Sequence, residues 1–401
     1  MRKPIIFLFF VFATLNLFAQ QEQYEVIVTN VVVPVRVFSG ETFIDNLTID
    51  DFELYEDGVL QKIQALYLAR KANIERKEET QNFSPQITRR FYLIFQLIEY
   101  NPKLAEAIDY FFEHVFLPGD TLTIMTPMKI YNLSPKALVS KSKEIVAKEL
   151  LNLVRKDTKV GSSNYRSLMR DLKRLVRGIS GSNIISGFSG DESTDITGLE
   201  FLLPRYRETL EKMEELRLVD SQKLFGFAEQ LKRVEGQKVV FFFYEREFRP
   251  EIHPRVMSAL FSMYQDQPNI LGDLQDLMSY YYRPVRLDQE LLKQKFADSS
   301  VLFNFIFMDR EPEHVSGIQM REQSEDIFRI FSDITRATGG VVDTSQTPAA
   351  AFKKASTVAE SYYLLYYSPL NYVKDGKFKK IEVKVKGKNY RVIHRQGYFA
   401  Q

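Results

Sequence analysis

Two kinds of hydrophobic pattern alternate through the middle of the chain. Continuous apolar runs of strand length occur at 91–98 (FYLIFQLI), 238–244 (KVVFFFY) and 301–308 (VLFNFIFM). Such runs are typical of strands that are buried on both faces. Segments with helical spacing of apolar residues lie between and after them, as at 322–338. This alternation predicts an α/β fold for residues 91–360, with a Rossmann-like, doubly wound sheet.

The two ends of the chain carry strand patterns without helical ones. Residues 24–38 are rich in β-branched side chains, and residues 378–386 alternate sharply between apolar and charged. We therefore predict N-terminal strands within 20–70 and C-terminal strands within 361–401. Because the strand types match, we expect the two sets to pair in a small β-sandwich-like domain, with the α/β domain inserted between them. Residues 71–90 are charged and poor in apolar side chains, which favours a linker or exposed loop.

A largely helical stretch interrupts the α/β pattern at about 134–236. Leu210, Met213 and Leu216 fall on one helical face, so we interpret this stretch as a helical insert. The Gly/Ser-rich segment 178–198 within it predicts a mobile loop. An extracytoplasmic enzyme with its site in the insert is one alternative reading. The sequence offers no convergent set of catalytic side chains there, so we predict a protein without catalytic activity.

The first residues have the pattern of an export signal. Met1-Arg2-Lys3 is basic, and a mostly apolar run continues to Ala19, which predicts a signal peptide of residues 1–19. An N-terminal membrane anchor is the alternative, although the run is barely long enough to span a bilayer. No later apolar run reaches about 20 residues, the length of a membrane-spanning helix. We therefore expect a secreted or periplasmic protein with no transmembrane span in the mature chain.

Composition narrows the chemistry. The chain has 54 Lys and Arg against 52 Asp and Glu, and loss of Arg2 and Lys3 with the signal peptide leaves 52 of each. A neutral balance argues against nucleic acid as a partner. The absence of cysteine from the sequence excludes disulfides, thiolate nucleophiles and Cys-ligated metal sites.

Several segments resemble the bacterial secreted proteins that contain a von Willebrand factor A-related domain. They are LTIDDFELYEDGVLQKI at 47–63, FYLIFQLIEYN at 91–101, SYYLLYYSP at 361–369 and GKFKKIEVKVK at 376–386. The resemblance implies a Rossmann-like A domain flanked by β strands. A domains of this type often bind Mg²⁺ through an Asp-x-Ser-x-Ser loop after the first strand, a Thr from a second loop and an Asp after a later strand.

The sequence departs from that metal-binding pattern at each position. Gln96, Ile98 and Tyr100 stand where the Asp-x-Ser-x-Ser loop is expected, and Glu245 stands in place of the later Asp. Mg²⁺ prefers hard oxygen ligands in octahedral geometry, which Ile98 cannot supply. We therefore expect the metal site to be lost and no cofactor to be bound. In the alternative, Glu99 and Glu245 hold Mg²⁺ in a weak site.

The resemblance implies a non-catalytic module of the protein-binding or adhesion type, whose partner is another protein at the cell envelope or outside the cell. Two alternatives are an Mg²⁺-dependent ligand-binding A domain with unusual ligands and a structural or assembly protein of the envelope. The candidate residues of the ligand-binding face are Gln96, Glu99, Tyr100, Asn101, Ser163 and Glu245.

Overall fold

The chain has a mixed α/β fold, which confirms the fold class at that level. The computed structural model describes residues 30–80, 83–133, 140–181, 192–217, 221–281, 287–315, 318–344, 347–370, 372–387 and 389–401. The predicted signal peptide lies outside the described residues, as do residues 182–191 of the predicted loop at 178–198.

The elements are numbered in chain order. The strands are β1 (Val31–Ser39), β2 (Thr42–Phe43), β3 (Phe52–Glu56), β4 (Val59–Gln61), β5 (Ile63–Arg70), β6 (Asn73–Glu79), β7 (Arg89–Gln96), β8 (Thr121–Met125), β9 (Ile130–Leu133), β10 (Gln237–Glu245), β11 (Phe248–Ile252), β12 (Val301–Met308), β13 (Ile318–Glu322), β14 (Val342–Asp343), β15 (Ser361–Tyr367), β16 (Phe378–Val385), β17 (Arg391–His394) and β18 (Gly397–Phe399). The helices are α1 (Leu104–Tyr110), α2 (Lys143–Gly161), α3 (Ser163–Gly181), α4 (Glu192–Arg217), α5 (Ser221–Lys232), α6 (Pro254–Met263), α7 (Pro268–Tyr281), α8 (Gln289–Asp298), α9 (Glu325–Thr338) and α10 (Pro348–Glu360).

A six-stranded sheet forms the centre of the molecule, in the order β9-β8-β7-β10-β12-β14. All neighbouring strands are parallel except the edge pair β8 and β9. Helices α1, α2 and α10 cover one face of the sheet, and α5, α8 and α9 cover the other. Strands β10 and β12 are buried along almost their whole length. Their continuous apolar sequences follow from this burial on both faces.

The junction of α9 and β14 depends on two consecutive glycines. Gly339 ends α9 with a φ of 78°, a left-handed conformation that glycine adopts without strain. A Cβ atom on Gly340 would lie 1.8 Å from the carbonyl oxygen of Phe303. The buried side chain of Asn304 accepts a hydrogen bond from the backbone N–H of Val341 at 3.1 Å. These contacts hold the start of β14 against β12.

The two ends of the chain meet in a β domain made of two packed sheets. Strand β1 lies between β15 and β17, and β3 pairs with β16. The carboxylate of Glu56 accepts hydrogen bonds from the hydroxyls of Tyr367 at 2.6 Å and Tyr398 at 3.0 Å. Since Glu56 is on β3 and the tyrosines are on β15 and β18, this buried contact joins N-terminal and C-terminal strands.

Part of the segment 71–90, for which the sequence predicts a linker or exposed loop, is a strand. Strand β6 pairs with β5 at one edge of the larger β sheet. Its sequence, NIERKEE, contains a single apolar residue. Charged side chains are common on edge strands because they discourage pairing with other chains, and here they obscure the strand pattern.

The helical stretch at 134–236 does not pack as one insert. Helices α2 and α5 cover the central sheet. Helices α3 and α4 instead share a separate core with α6 and α7, next to the antiparallel pair β11 and β13. We call this assembly the helical unit. It draws on residues far beyond 236, because an apolar helical face can be covered by any helix that the chain brings beside it.

Replacement of Gly340 by alanine tests the contact with β12. We expect Gly340→Ala to lower the free energy of unfolding by about 3 kcal/mol, because the new methyl group overlaps a backbone oxygen. Gly226→Ala is the matched control, since nothing lies within 4 Å of the added Cβ in α5. The free energy of unfolding of Gly226→Ala should rise by about 0.5–1 kcal/mol, because alanine is a better helix former than glycine. Urea denaturation measures the free energy of unfolding of both variants. Equal changes in the two variants would contradict the close contact between Gly340 and β12.

Candidate functional site

The candidate site lies where β7 and β10 end side by side. The chain continues from β7 to β8 on one side of this pair, and from β10 to β12 on the other. In open α/β sheets, ligands bind outside the carboxyl ends of the strands at the point where the strand order reverses. Residues 97–101, which follow β7, and Glu245, the last residue of β10, lie at this point.

Glu245 fixes the backbone that follows β7. One of its carboxylate oxygens, Oε2, accepts hydrogen bonds from the backbone N–H groups of Ile98 at 2.9 Å and Glu99 at 3.0 Å. The side chain is buried, and this burial raises the pKa of Glu245 even though the two N–H groups and a nearby arginine favour the charged form. The carboxylate therefore acts as an internal ligand for the loop.

Arg310 supplies positive charge beside the two glutamates. It follows β12 and is partly exposed. Its Nη2 lies 3.4 Å from Oε1 of Glu99, and its Nε lies 3.8 Å from Oε1 of Glu245. The guanidinium thus lies between an exposed carboxylate and a buried one, and it offsets the charge of both.

The loop after β7 is also held from the side of α3. The hydroxyl Oγ of Ser162 lies 2.6 Å from the carbonyl oxygen of Ile98, and Nη1 of Arg166 donates to the same oxygen at 3.2 Å. Ser163, the predicted site residue, is exposed at the start of α3. The serine that contacts this loop is therefore its buried neighbour Ser162.

The remaining predicted residues surround the group formed by Glu99, Glu245 and Arg310. Gln96 ends β7 and is exposed. Tyr100 is partly buried against the core of the central sheet, with the guanidinium of Arg155 at 5.8 Å from its ring centre. Asn101 accepts a hydrogen bond through Oδ1 from the backbone N–H of Lys103 at 3.0 Å, just before α1. Glu99 and Glu245 are thus the predicted residues that the structure joins, through Arg310.

The residues present do not fit an Mg²⁺ site of the type that the resemblance implies. Oε2 of Glu245 is already taken by two backbone N–H groups, and a guanidinium lies within 4 Å of its other oxygen. Mg²⁺ needs several free oxygen ligands in octahedral geometry. Within the described part of the chain, no group of three or more His, Asp or Glu side chains could hold a metal ion.

A cleft of about 190 Å³ opens beside Glu99 and Arg310, between the loop after β7 and the helical unit. Met169, Phe248 and Met320 give it an apolar side. Its basic side chains include Arg166 and Arg170, both near the start of α3. Arg166 is bonded to neutral oxygen atoms, so its charge is not offset by those contacts. We call this the carboxyl-end cleft.

Arg310 and Arg166 were not predicted from the sequence. The position of Arg310 could have been predicted, because this residue stands two positions after the buried strand β12. The carboxyl ends of parallel strands lie at one edge of a sheet, so Arg310 is expected near Glu245. Arg166 had no such signal, since its position depends on how α3 approaches the loop.

The raised pKa of Glu245 predicts a pH-dependent difference between the wild type and Glu245→Gln. A carboxyl group whose pKa rises on folding from its ordinary value of 4.5 binds its proton more tightly in the folded state. Its contribution to stability is therefore full below pH 4.5 and is lost as the pH rises through the folded-state pKa. Urea denaturation at several pH values should show wild-type stability falling relative to Glu245→Gln as the pH rises. A relative gain with pH would contradict this assignment.

Comparison with known proteins adds little to this picture. No protein-family model matches the chain, and no curated protein matches it. Among solved structures, the human COPII-coat protein Sec24c is similar with a TM-score of 0.32 and 8% identity, over 80% of this chain and 44% of that chain. The chain thus spans less than half of that protein, and so weak a likeness supports no inference. No helix in the described residues is long and apolar enough to cross a membrane.

Proposed function

We propose that the chain is an exported, non-catalytic protein-binding module. In this proposal, a von Willebrand factor A-like domain binds another protein through the loops at the carboxyl ends of β7, β10 and β12, without a metal ion. The partner is a protein at the cell envelope or outside the cell. The proposal combines the predicted signal peptide, the resemblance of the chain's segments to A-domain proteins and the geometry of the carboxyl-end cleft.

The architecture supports the proposal in two ways. The central sheet has β7 and β10 in the middle and an antiparallel strand at one edge, and strands from both chain ends flank it. The cleft opens at the strand ends where α/β sheets bind their ligands. Fold analogy alone does not define function, and the chemistry of the cleft supplies the specific support.

The position of Arg310 is the observation that carries the metal-free part of the proposal. In a metal-dependent site, a bound cation offsets the acidic ligands and attracts a carboxylate of the partner. Here Arg310 contacts both Glu99 and Glu245. The loop after β7 is also fixed by hydrogen bonds that it donates to Glu245 and by hydrogen bonds that it accepts from Ser162 and Arg166. A preorganised surface of this kind binds without the entropic cost of ordering a loop.

The cleft suggests the chemistry of the partner. Its lining also contains acidic side chains, namely Glu99, Glu311 and Glu313. Arg310 pairs with Glu99 and Lys173 pairs with Glu313, so the cations that favour a carboxylate of the partner are Arg166 and Arg170. Met169, Phe248 and Met320 favour an apolar side chain. Arginine is common at protein interfaces because its planar guanidinium binds carboxylates in a bidentate manner. We therefore expect the partner to present an acidic residue next to an apolar one.

Charge reversal at Arg170 tests this proposal. Arg170 is exposed in the carboxyl-end cleft, so Arg170→Glu should repel an acidic partner while leaving the fold intact. Arg336→Glu is the matched control, because Arg336 is an exposed arginine on α9, outside the cleft. Mature wild type and both variants serve as bait for envelope extract, with quantification by mass spectrometry. Loss of a charged contact should lower capture of the partner by about tenfold for Arg170→Glu alone.

Two results of the capture experiment would contradict the proposal. If every captured protein is lost equally from Arg170→Glu and Arg336→Glu, binding depends on overall charge and the cleft is not the site. If capture by the wild type requires added Mg²⁺, the metal-free part of the proposal is wrong. Circular dichroism of each variant establishes that the bait is folded.

A further inference from the structure

A second cavity lies at the opposite end of the central sheet from the carboxyl-end cleft. It has a volume of about 290 Å³ and lies between the β domain and the amino ends of β10 and β12. Strands β1 and β15 form one wall. The residues that precede β10 and β12, including Gly236 and Ser300, form the other. We call it the junction cavity.

Pairing within the β domain explains why the cavity exists. Strand β1 pairs with β17 only from Val35 onward. Pro34, which has no N–H group to donate, lies just before this pairing and lines the cavity. The carbonyl oxygen of Val32 instead accepts a hydrogen bond from Nη2 of Arg395 at 2.8 Å. The gap beside β1 is therefore filled by a cationic side chain rather than by a strand.

Three buried cations line the junction cavity. Arg36, Lys238 and Arg395 are 3%, 5% and 9% exposed, and they come from β1, β10 and the segment after β17. The one acidic side chain among the described lining residues is Glu235, which is exposed. Asp298 lies near Lys238 and Arg395, but its carboxylate is paired with Lys232, whose Nζ lies 2.7 Å from Oδ2. The cavity walls thus carry an excess of buried positive charge.

The hydrogen bonds of these cations leave their charge largely uncompensated. Arg36 donates through Nε to the carbonyl of Val358 at 2.8 Å, and Lys238 donates to the carbonyl of Val234 at 2.9 Å. Arg395 donates to the hydroxyl of Ser300 as well as to Val32. All of these acceptors are neutral. Burying a charge without an opposite charge is costly, so the arrangement needs an explanation.

Unused polar atoms point to a ligand. The hydroxyl of Tyr362, a side chain that is 2% exposed, has no hydrogen-bond partner among the described residues, and neither has Nε of Arg395. Both residues line the junction cavity. The buried Oε1 of Gln237, also in the lining, is likewise without a partner. Two donors and one acceptor are therefore available beside three cations.

Burial lowers the pKa values of these cations, and neighbouring positive charge adds to this effect at Lys238. Burial, followed by the charges of Arg395 and Arg90, lowers the pKa of Lys238 to about 8, although Asp298 acts in the opposite direction. Burial also lowers the pKa of Arg36 to about 10. An anion in the cavity would relieve the repulsion at Lys238 and accept hydrogen bonds from the unused donors.

We infer that the junction cavity is a binding site for a small oxyanion, a molecule with a phosphate or carboxylate group. The volume is at the lower end of the range of about 300–1,000 Å³ for small-molecule pockets, which excludes large ligands. The site is independent of the proposed protein-binding function, because it uses the other end of the central sheet.

Titration of the mature protein tests the inference. Isothermal titration calorimetry at constant ionic strength uses inorganic phosphate and succinate as probes and chloride as the reference anion. We expect saturable binding of at least one oxyanion with a Kd of about 1 mM or lower. Binding of phosphate alone or of succinate alone supports the site and identifies its anionic group. Absence of binding for both, or a response that chloride reproduces, would overturn it.

Two variants locate the binding in the junction cavity. Lys238→Met removes a charged donor and should weaken binding by at least about tenfold, whereas Tyr362→Phe removes a neutral donor and should weaken it about threefold. Because the Tyr362 hydroxyl has no hydrogen-bond partner among the described residues, Tyr362→Phe keeps the test valid even if Lys238→Met does not fold. Tyr363→Phe is its control, since that hydroxyl bonds to the carbonyl of Ile44 instead. Unchanged affinity in Tyr362→Phe, or an equal loss in Tyr363→Phe, would contradict the assignment.

Discussion

The two hydrogen bonds from the backbone of Ile98 and Glu99 to the carboxylate of Glu245 determine the character of the candidate site. They join the ends of β7 and β10, which are neighbours in the sheet but come from distant parts of the chain. With one carboxylate oxygen engaged, Glu245 cannot supply the free ligands that a divalent cation requires. Arg310 provides the compensating charge. These contacts hold the loop after β7 in a fixed conformation, and they support our proposal of a site that binds without a metal ion.

The arrangement of the central sheet accounts for the position of both proposed sites. Parallel strands bring all their carboxyl ends to one edge and all their amino ends to the other. The carboxyl-end cleft forms where the helical unit approaches the first edge. The junction cavity forms where the β domain approaches the second. Since the β domain contains strands from both ends of the chain, the cavity can form only after the C-terminal strands have paired with β1.

The parts of the fold that the sequence predicted are those with a strong local pattern. The apolar runs at β10 and β12 and the helical spacing at 322–338 are local signals, because burial on both faces of a strand and on one face of a helix each demand particular residues. The alternation in β16 is another, with Ile381 and Val383 buried between exposed lysines. Strand β6 escaped prediction because its charged sequence reflects its edge position rather than a core.

The sites were harder to predict because they depend on contacts between distant segments. Glu99 and Glu245 were found through the resemblance, whereas the sequence could not decide between Ser162 and Ser163, since neighbouring residues at a helix start differ only in orientation. The junction cavity had no sequence signal at all. Arg36, Lys238 and Arg395 lie far apart in the chain, and each has the sequence context of an ordinary strand or loop cation.

Amide hydrogen exchange at Ile98 and Glu99 tests the central claim most directly. Nuclear magnetic resonance of the mature protein would follow these two amides with and without excess Mg²⁺, in the wild type and in Glu245→Gln. The account predicts slow exchange in the wild type, no change on addition of Mg²⁺, and faster exchange in the variant. Fast exchange in the wild type, or protection that appears only with Mg²⁺, would show that a metal ion rather than Glu245 organises the loop.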